Sequence, residues 1–498
     1  MPTTGGVLEG VEVDGVLQFR GVPYAASTAG AGRFRPPQPV EPWSGVRPAV
    51  EHGPVAPQPA SILETIQGQS SSQDEDCLTL TVTTPSTEGR RPVMVWIHGG
   101  GYQTGSGSVP WYDGRRLAAR GGVVVVSIAY RLGALGYLRL DHLLGEELAT
   151  SANLGLLDQV AALRWVRDNI AAFGGDPDQV TLFGESAGAM SVATLLGTPA
   201  AAGLFHRAIP QSGAGHHVST PDEAAEVTAL LLGHLGLAER DAAALLDLPV
   251  DRILAAQALV AAEVLPRHWG LRLAFQPTVD GGVLPAHPLD AVRGGATRGI
   301  PLVTGTTADE WGLFHVRASA SGPLAESKLV DRADRVFGGR GAEAVERYRR
   351  ARPGATPDQI WVAIGTDLVF RVPAVRLADA HSAHEPDTWA YRFSHRSPAL
   401  GGVMGACHAI DIPFVFDNVD VPGVDVFVGP PDEGVRQLAA VTAGAWLSFA
   451  RHGDPGHEGL PSWPRYRADH RAVLDLGSRP ELLVDPDGEV LELYGALR

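Results

Sequence analysis

Val180-Thr181-Leu182-Phe183-Gly184-Glu185-Ser186-Ala187-Gly188-Ala189-Met190-Ser191-Val192-Ala193-Thr194-Leu195-Leu196 decides the fold of this chain. Four strand-favouring residues lead into Gly184 and a helix-compatible run follows Gly188, so the stretch reads as strand, sharp turn and helix with Ser186 at the tip. The flanking glycines relieve the crowding that so tight a turn creates. No second G-x-S-x-G occurs in the sequence. A serine hydroxyl is a weak nucleophile at neutral pH, so the reading demands a histidine base, a carboxylate to orient it and donors for a developing oxyanion.

Each has a candidate. Val93-Met94-Val95-Trp96-Ile97 is a continuous apolar run suited to a buried parallel strand, and it empties into His98-Gly99-Gly100-Gly101-Tyr102. Three glycines let backbone N–H groups crowd around an oxygen. Pro301-Leu302-Val303-Thr304-Gly305 reads as another short buried strand, with Thr306-Thr307-Ala308-Asp309-Glu310-Trp311 at its C-terminal end, where open α/β sheets place their sites. Asp309 and Glu310 are both chemically competent, and spacing does not choose between them. His408 lies among Gly405, Ala406, Cys407, Ala409 and Ile410. Of 17 histidines it is singled out by order, since serine, then carboxylate, then histidine is the chain order of the α/β-hydrolase triad.

Motifs spread along nearly the whole chain carry a family resemblance. They are Phe19-Arg20-Gly21-Val22-Pro23-Tyr24-Ala25, Glu75-Asp76-Cys77-Leu78, the glycine loop after Ile97, Asn153-Leu154-Gly155-Leu156-Leu157-Asp158-Gln159, and Phe173-Gly174-Gly175-Asp176-Pro177 before the serine turn. Gln211-Ser212-Gly213, the Asp309-Glu310 loop, the Cys407-His408 segment and Phe449-Ala450-Arg451-His452-Gly453-Asp454-Pro455 complete the set. Together they resemble the type-B carboxylesterases, the branch that also holds the cholinesterases, with bacterial para-nitrobenzyl-esterase-like members as the expected kin. The resemblance implies an α/β-hydrolase fold, a large and mostly parallel sheet flanked by helices, with helical cap insertions and a β-rich N-terminal entry. It carries the triad acid onto Glu310 rather than Asp309, and the oxyanion donors onto Gly100, Gly101 and Ala187. It implies a cofactor-independent ester hydrolase working through an acyl-enzyme on small to medium, largely uncharged esters, with carbamate or anilide cleavage as the alternative. A non-catalytic binding protein of the same fold is disfavoured because no triad member is missing.

Three departures stand out. Trp311 follows the acid and Ala409 follows the histidine where the family usually has glycine, which narrows or reshapes the pocket without removing a catalytic atom. Secreted animal members pair the equivalent of Cys77 with an upstream cysteine, but residues 1 to 76 contain none.

Composition closes off rival classes. The net charge is 40 − 56 = −16, which repels phosphate backbones and anionic membranes, so neither nucleic acid nor a membrane is an expected partner. Lys328 is the sole lysine and follows Ser327, so no Walker A motif exists. Neither an H-E-x-x-H helix nor a C-x-x-C pair occurs, and no metal or other cofactor is expected. Arginine in place of lysine reads as coding bias in a GC-rich bacterial genome. With only Cys77 and Cys407, and no signal-like start, a cytoplasmic home is expected. Nothing in the sequence chooses between monomer and homodimer.

Because Gly100, Ser186, Glu310 and His408 must meet, the 498 residues are expected to form one catalytic domain. Residues 7 to 22 alternate around Asp14-Gly15, a hairpin signal, and the proline-rich segment from Arg33 to Pro59 is expected to be largely irregular. Val123 to Ile128 reads as a central strand. Leu156, Val160, Leu163, Val166, Ile170 and Phe173 form one helical stripe ending at Gly174-Gly175. Thr220-Pro221-Asp222-Glu223 is a helix start with a capping-box glutamate, opening a helical stretch to about residue 264. That stretch and residues 321 to 385 are the expected cap.

Weaker candidates complete the reading. Glu185, and with less support Asp411, are candidates to bias the protonation of His408, with a purely structural buried acceptor as the equal alternative for Glu185. Ser212 is a core-packing residue by default, with a hydrogen bond behind the site as the alternative. Tyr102, Trp111, Phe275, Trp311 and Phe314 are the aromatic pocket candidates. A carboxylate raises the pKa of His408 while burial lowers it, so the value is expected near the free-histidine 6.5.

Overall fold

A computed structural model describes residues 1–60, 72–318 and 322–495; residue 321, where the second cap stretch was expected to open, lies outside them. Thirteen strands follow in chain order: β1 (Val7–Glu9), β2 (Val11–Val13), β3 (Val16–Pro23), β4 (Val46–Pro48), β5 (Thr79–Thr84), β6 (Arg91–Ile97), β7 (Val124–Ile128), β8 (Gly175–Glu185), β9 (Arg207–Gln211), β10 (Leu302–Thr307), β11 (Thr388–Phe393), β12 (Ala472–Leu476) and β13 (Glu481–Val484). Eleven of them make one sheet in the order β13-β12-β11-β10-β9-β8-β6-β7-β5-β3-β2. The run from β12 to β7 is parallel throughout. Antiparallel pairs extend it at both edges, through β13 on one side and β5, β3 and β2 on the other.

Side-chain alternation explains why the central strands carry no polar face. Val93, Val95, Ile97, Val124, Val126, Val180 and Leu182 join one core, and Met94, Trp96, Val125, Phe183 and Ile209 join the core on the other face. Helices cover both, so most positions are apolar on either face, with Ser127 of β7 and Thr181 of β8 among the buried polar exceptions. On the first face lies α1 (Leu154–Asn169), which buries Leu156, Val160, Leu163 and Val166 as its stripe predicts. The last two stripe residues, Ile170 and Phe173, belong instead to a 3₁₀ turn, and Gly174 ends it at φ 75°.

The motif Asn153 to Gln159 has a visible use. Asp158 is wholly buried and accepts from the Arg131 guanidinium at 2.8 and 2.7 Å, and Gln159 donates to Ser191 at 3.0 Å, tying α1 to the helix behind the serine turn. At the N-terminus β2 and β3 form the expected hairpin, with Asp14 and Gly15 both at positive φ as a type I′ turn requires. The segment from Arg33 to Pro59 is not wholly irregular. Its Val46–Pro48 strand pairs in parallel with Val7–Glu9, because the N-terminal arm turns back and offers a free edge.

The described residues of the two stretches expected to form the cap are largely helical. α3 (Pro221–Leu235), after α2 (Ala187–Leu195) of the serine turn, opens on the capping box between Thr220 and Glu223, and α4 (Val250–Arg267) follows. The second stretch holds α6 (Glu326–Phe337), α7 (Gly341–Ala351), α8 (Pro357–Thr366) and α9 (Val372–Ser382), after the short α5 (Gly312–Ala318). Between α8 and α9 the chain makes a π-helical turn over Asp367–Arg371. α10 (Glu433–His452) packs on the second face of the sheet.

Candidate active site

β8 runs into Ser186, which adopts φ 57° and ψ −125° before α2 begins at Ala187. A non-glycine residue at positive φ is strained, and the surroundings hold it there. The Ser186 amide donates to the Gln211 carbonyl of β9 at 3.0 Å, and its carbonyl accepts from Met190 at 2.8 Å. The glycines of the turn are required by close approach: a Cβ on Gly188 would lie 2.0 Å from the Ile97 carbonyl oxygen at the end of β6. One on Gly99 would lie 2.8 Å from the Glu185 carbonyl oxygen and 3.0 Å from the Ser186 Cβ. The glycine loop therefore lies against the serine turn.

Gly100 and Gly101 then turn at φ 112° and 62°. Gln58, which no motif singles out, braces this loop, accepting from the Gly105 amide at 2.6 Å and donating to its carbonyl at 2.9 Å. Tyr130 does the same from the loop after β7, stacking on His98 at 4.5 Å and donating to its carbonyl at 2.8 Å. Burial pulls the pKa of His98 down to about 4, so it is a neutral structural imidazole.

The two carboxylates after β10 separate cleanly. Glu310 is fully buried and its Oε2 lies 2.6 Å from His408 Nδ1, while its Oε1 accepts from the Thr307 amide at 2.7 Å. Asp309 turns away: its Oδ2 accepts from the Ala406 amide at 2.9 Å and from Arg396 at 3.0 Å. Its own amide donates to the Ala406 carbonyl at 2.9 Å, so Asp309 clamps the histidine loop to the acid loop. Phe370 and Phe314 flank the imidazole, at 4.6 and 5.3 Å between ring centres. Phe370 was invisible to motif reasoning because it belongs to the π-helical turn, which no residue pattern announces.

His408 Nε2 faces the serine turn and lies 3.2 Å from Glu185 Oε1. Asp411 sits behind, accepting from Gln211 at 3.0 Å and Tyr391 at 3.3 Å, while Trp446 holds Gln211 at 3.0 Å. Three buried carboxyl groups thus surround one imidazole. Burial pulls His408 down, but the charges of Glu185 and Glu310 outweigh it and push the value up to about 9. The expected cancellation near 6.5 does not hold, because more than one carboxylate faces the ring. Burial pushes Glu185 up to about 8 and Asp411 up to about 6, with Glu310 adding to both and His408 opposing. Glu185 and His408 compete for the same proton, and whichever holds it weakens the other's grip.

Among the pocket candidates, Trp311 and Phe314 are half-buried and touch each other at 5.1 Å, beside His408. A Cβ on Gly365 would fall 2.4 Å from the Trp311 ring, so the indole lies flat on that glycine. Trp111, Phe275 and Tyr102 are core residues instead, each with no exposed surface. Trp111 packs on Phe427 and Tyr102 on Tyr137. Ser212 is buried at φ 55° with its amide bonded to the Gly305 carbonyl at 2.9 Å. Cys77 and Cys407 are both buried and unpaired.

Residues 1–489 match the Carboxylesterase family. The chain belongs to that family. It is 41% identical over 489 residues to the para-nitrobenzyl esterase of Bacillus subtilis (strain 168), covering 98% of this chain and 96% of the relative. It is 41% identical over 500 residues to the phenmedipham hydrolase of Pseudarthrobacter oxydans, covering 95% and 94%. Among solved structures, a carboxylesterase of Geobacillus stearothermophilus superposes with a TM-score of 0.89 at 42% identity, covering 99% of both chains. This carboxylesterase has the α/β-hydrolase fold and is a carboxylic ester hydrolase. No helix among its described residues is long and apolar enough to cross a membrane.

Proposed function

We propose that this carboxylesterase cleaves esters through an acyl-enzyme on Ser186, with His408 as the base and Glu310 as the residue that orients it. Ser186 Oγ attacks the ester carbonyl carbon while its proton passes to His408 Nε2. Glu310 accepts a hydrogen bond from the Nδ1–H of His408 without taking the proton, fixing the tautomer and stabilising the imidazolium that forms. The carbonyl oxygen becomes an oxyanion held by the N–H groups of Gly100, Gly101 and Ala187. Collapse breaks the C–O bond, and His408 returns its proton to the leaving alkoxide. Water then repeats the sequence on the acyl-enzyme and releases the acid.

The observation that carries this reading is the 2.6 Å contact between His408 Nδ1 and buried Glu310, with Nε2 3.2 Å from Glu185, the residue before the strained serine. All the groups lie over one sheet, which supports a single catalytic domain. Half-buried Trp311 and Phe314 beside a cluster of acids favour uncharged substrates. Two unpaired buried thiols suit a reducing cytoplasm. A phosphonate ester should stop activity with one adduct, on Ser186, and Ser186→Ala should take no label and lower kcat ~10⁴-fold or more. Labelling elsewhere, or an active Ser186→Ala enzyme, would overturn the assignment.

Carbamate cleavage is the second reading, favoured by the 41% identity to a phenmedipham hydrolase. A carbamate presents the same trigonal carbonyl to the same serine. Matched aryl acetates and aryl carbamates separate the two: a carbamate that only acylates Ser186 and is not turned over rejects it.

A further inference from the structure

The π-helical turn Asp367–Arg371 touches the His408 imidazole and the loop that carries Glu310. Phe370 packs on the imidazole, and the next residue, Arg371, donates from one nitrogen to the carbonyls of Thr307 and Ala308 at 3.1 and 3.2 Å. Those carbonyls precede Glu310 in the acid loop, whose shape aims the carboxylate. The other guanidinium nitrogen pairs with Asp367 at 3.2 Å and with Asp487 at 3.2 Å. Asp487 lies near the end of the chain, more than a hundred residues from the turn. Tyr494 anchors the same segment, sharing a 2.7 Å hydrogen bond with Tyr348, which donates to Asp367 at 2.5 Å.

Val490, Leu493 and Tyr494 pack this terminal segment into the core, and the ion pairs add to that seat. Arg371, Asp487, Gly305 and Tyr391 border a cavity of about 50 Å³ between the segment and the sheet. A guanidinium suits the task, since its planar fork meets two carbonyls and two carboxylates at once, which an ammonium cannot.

We propose that Arg371 is a positioning residue for the Glu310–His408 pair and that Asp487 sets the placement of Arg371, so that the C-terminal segment acts on the catalytic pair. This rests on the triad reading above. The groups facing Arg371 are Asp367, Asp487, Glu310 and Asp309, with Arg352 behind the two distal aspartates. Those facing His408 are Glu185, Glu310 and Asp411. Removing the guanidinium takes a positive charge from beside the acid loop, which favours the imidazolium and moves the acidic limb of the rate profile to higher pH.

The test uses full-length enzyme, with Arg371→Met, Arg371→Lys, Asp487→Asn and the Met/Asn double variant, each titrated with phosphonate so that rates refer to intact sites. Arg371→Met should lower kcat about 100-fold with KM changed less than about threefold, and raise the limb; Lys should restore part of kcat and the limb position. Asp487→Asn should lower kcat about tenfold, and the double variant should be no worse than Arg371→Met, as expected when one residue acts through the other. If Arg371→Met fails to fold, Asp487→Asn alone carries the test. Full kcat per titrated site, or a loss with an unmoved limb and no rescue by Lys, would overturn the proposal. Failure of the phosphonate to label wild type would instead reject the triad reading.

Discussion

The two sides of the active site are built by different physics. The serine side, from β6 and the glycine loop to the turn at Ser186, is made of backbone: glycines are present because carbonyls and a strained φ leave no room for a side chain. The histidine side, from Glu310 and His408 to Asp411, is made of buried ionisable groups whose charges set one another's proton affinity. Backbone geometry tolerates little and fails abruptly. A charge cluster can lose a member that does not aim the imidazole and still work, at a different pH.

The largest expected effect tests whether one carboxylate dominates the histidine side. Glu310→Gln should lower kcat about 10⁴-fold, because an amide neither fixes the Nδ1–H tautomer nor stabilises the imidazolium. Asp309→Asn should lower it only a fewfold, yet reduce thermal stability, since Asp309 bonds Ala406 and Arg396 rather than the ring. Equal losses of activity in the two variants would erase the distinction between aiming residue and clamp. Calorimetry and steady-state rates on both proteins read it.

A smaller effect tests the serine side by comparing two adjacent glycines. A Cβ on Gly100 would fall 2.1 Å from the Thr104 carbonyl oxygen, whereas one on Gly101 would meet nothing within 4 Å. Gly100→Ala must shift the loop and its oxyanion donor, at a loss of about 10²–10³-fold in kcat. Gly101→Ala keeps the donor in place and bears only the left-handed backbone strain, about 1–2 kcal/mol, so its kcat should stay within about tenfold of wild type. Reversed rankings would mean that strain rather than overlap governs the loop.

This contrast also explains what the sequence made legible. Ser186, the glycine loop and the parallel strands announce themselves because sterics dictates residue type at fixed spacing, and continuous apolar runs follow when both sheet faces are covered. His408 was reachable through chain order, but the choice between Asp309 and Glu310 rested on family resemblance, since adjacent carboxylates at a loop tip differ only in where they point. Phe370, Arg371, Gln58 and Tyr130 carried no local signal: each acts through a contact made by distant chain segments. Trp111 and Phe275 were chosen as pocket aromatics from their chain positions alone, and burial assigns both to the core. The pKa expectation failed for a related reason, that it counted one carboxylate around His408 when folding brings three.

The smallest effect is also the sharpest test of the charge cluster. Glu185 Oε1 lies 3.2 Å from His408 Nε2, and its charge is among those that push the histidine up to about 9. Ester attack needs neutral His408, so a raised pKa places the acidic limb of kcat/KM above the free-histidine value, and activity falls as pH drops through that limb. While a single proton remains on the pair, the ionised carboxylate draws it onto the imidazole and withholds the base. Glu185→Gln keeps the shape and removes that charge, whereas burial still lowers the value and Glu310 and Asp411 still raise it. The limb should therefore move to lower pH by on the order of one unit, a tenfold gain at a fixed pH on the limb. The plateau should remain within about tenfold of wild type, because Glu185 neither aims the imidazole nor holds the oxyanion. A pH profile of the two proteins decides the matter: an unmoved or upward-moving limb would show that Glu185 is already neutral wherever His408 titrates, reducing the working cluster to Glu310 and Asp411.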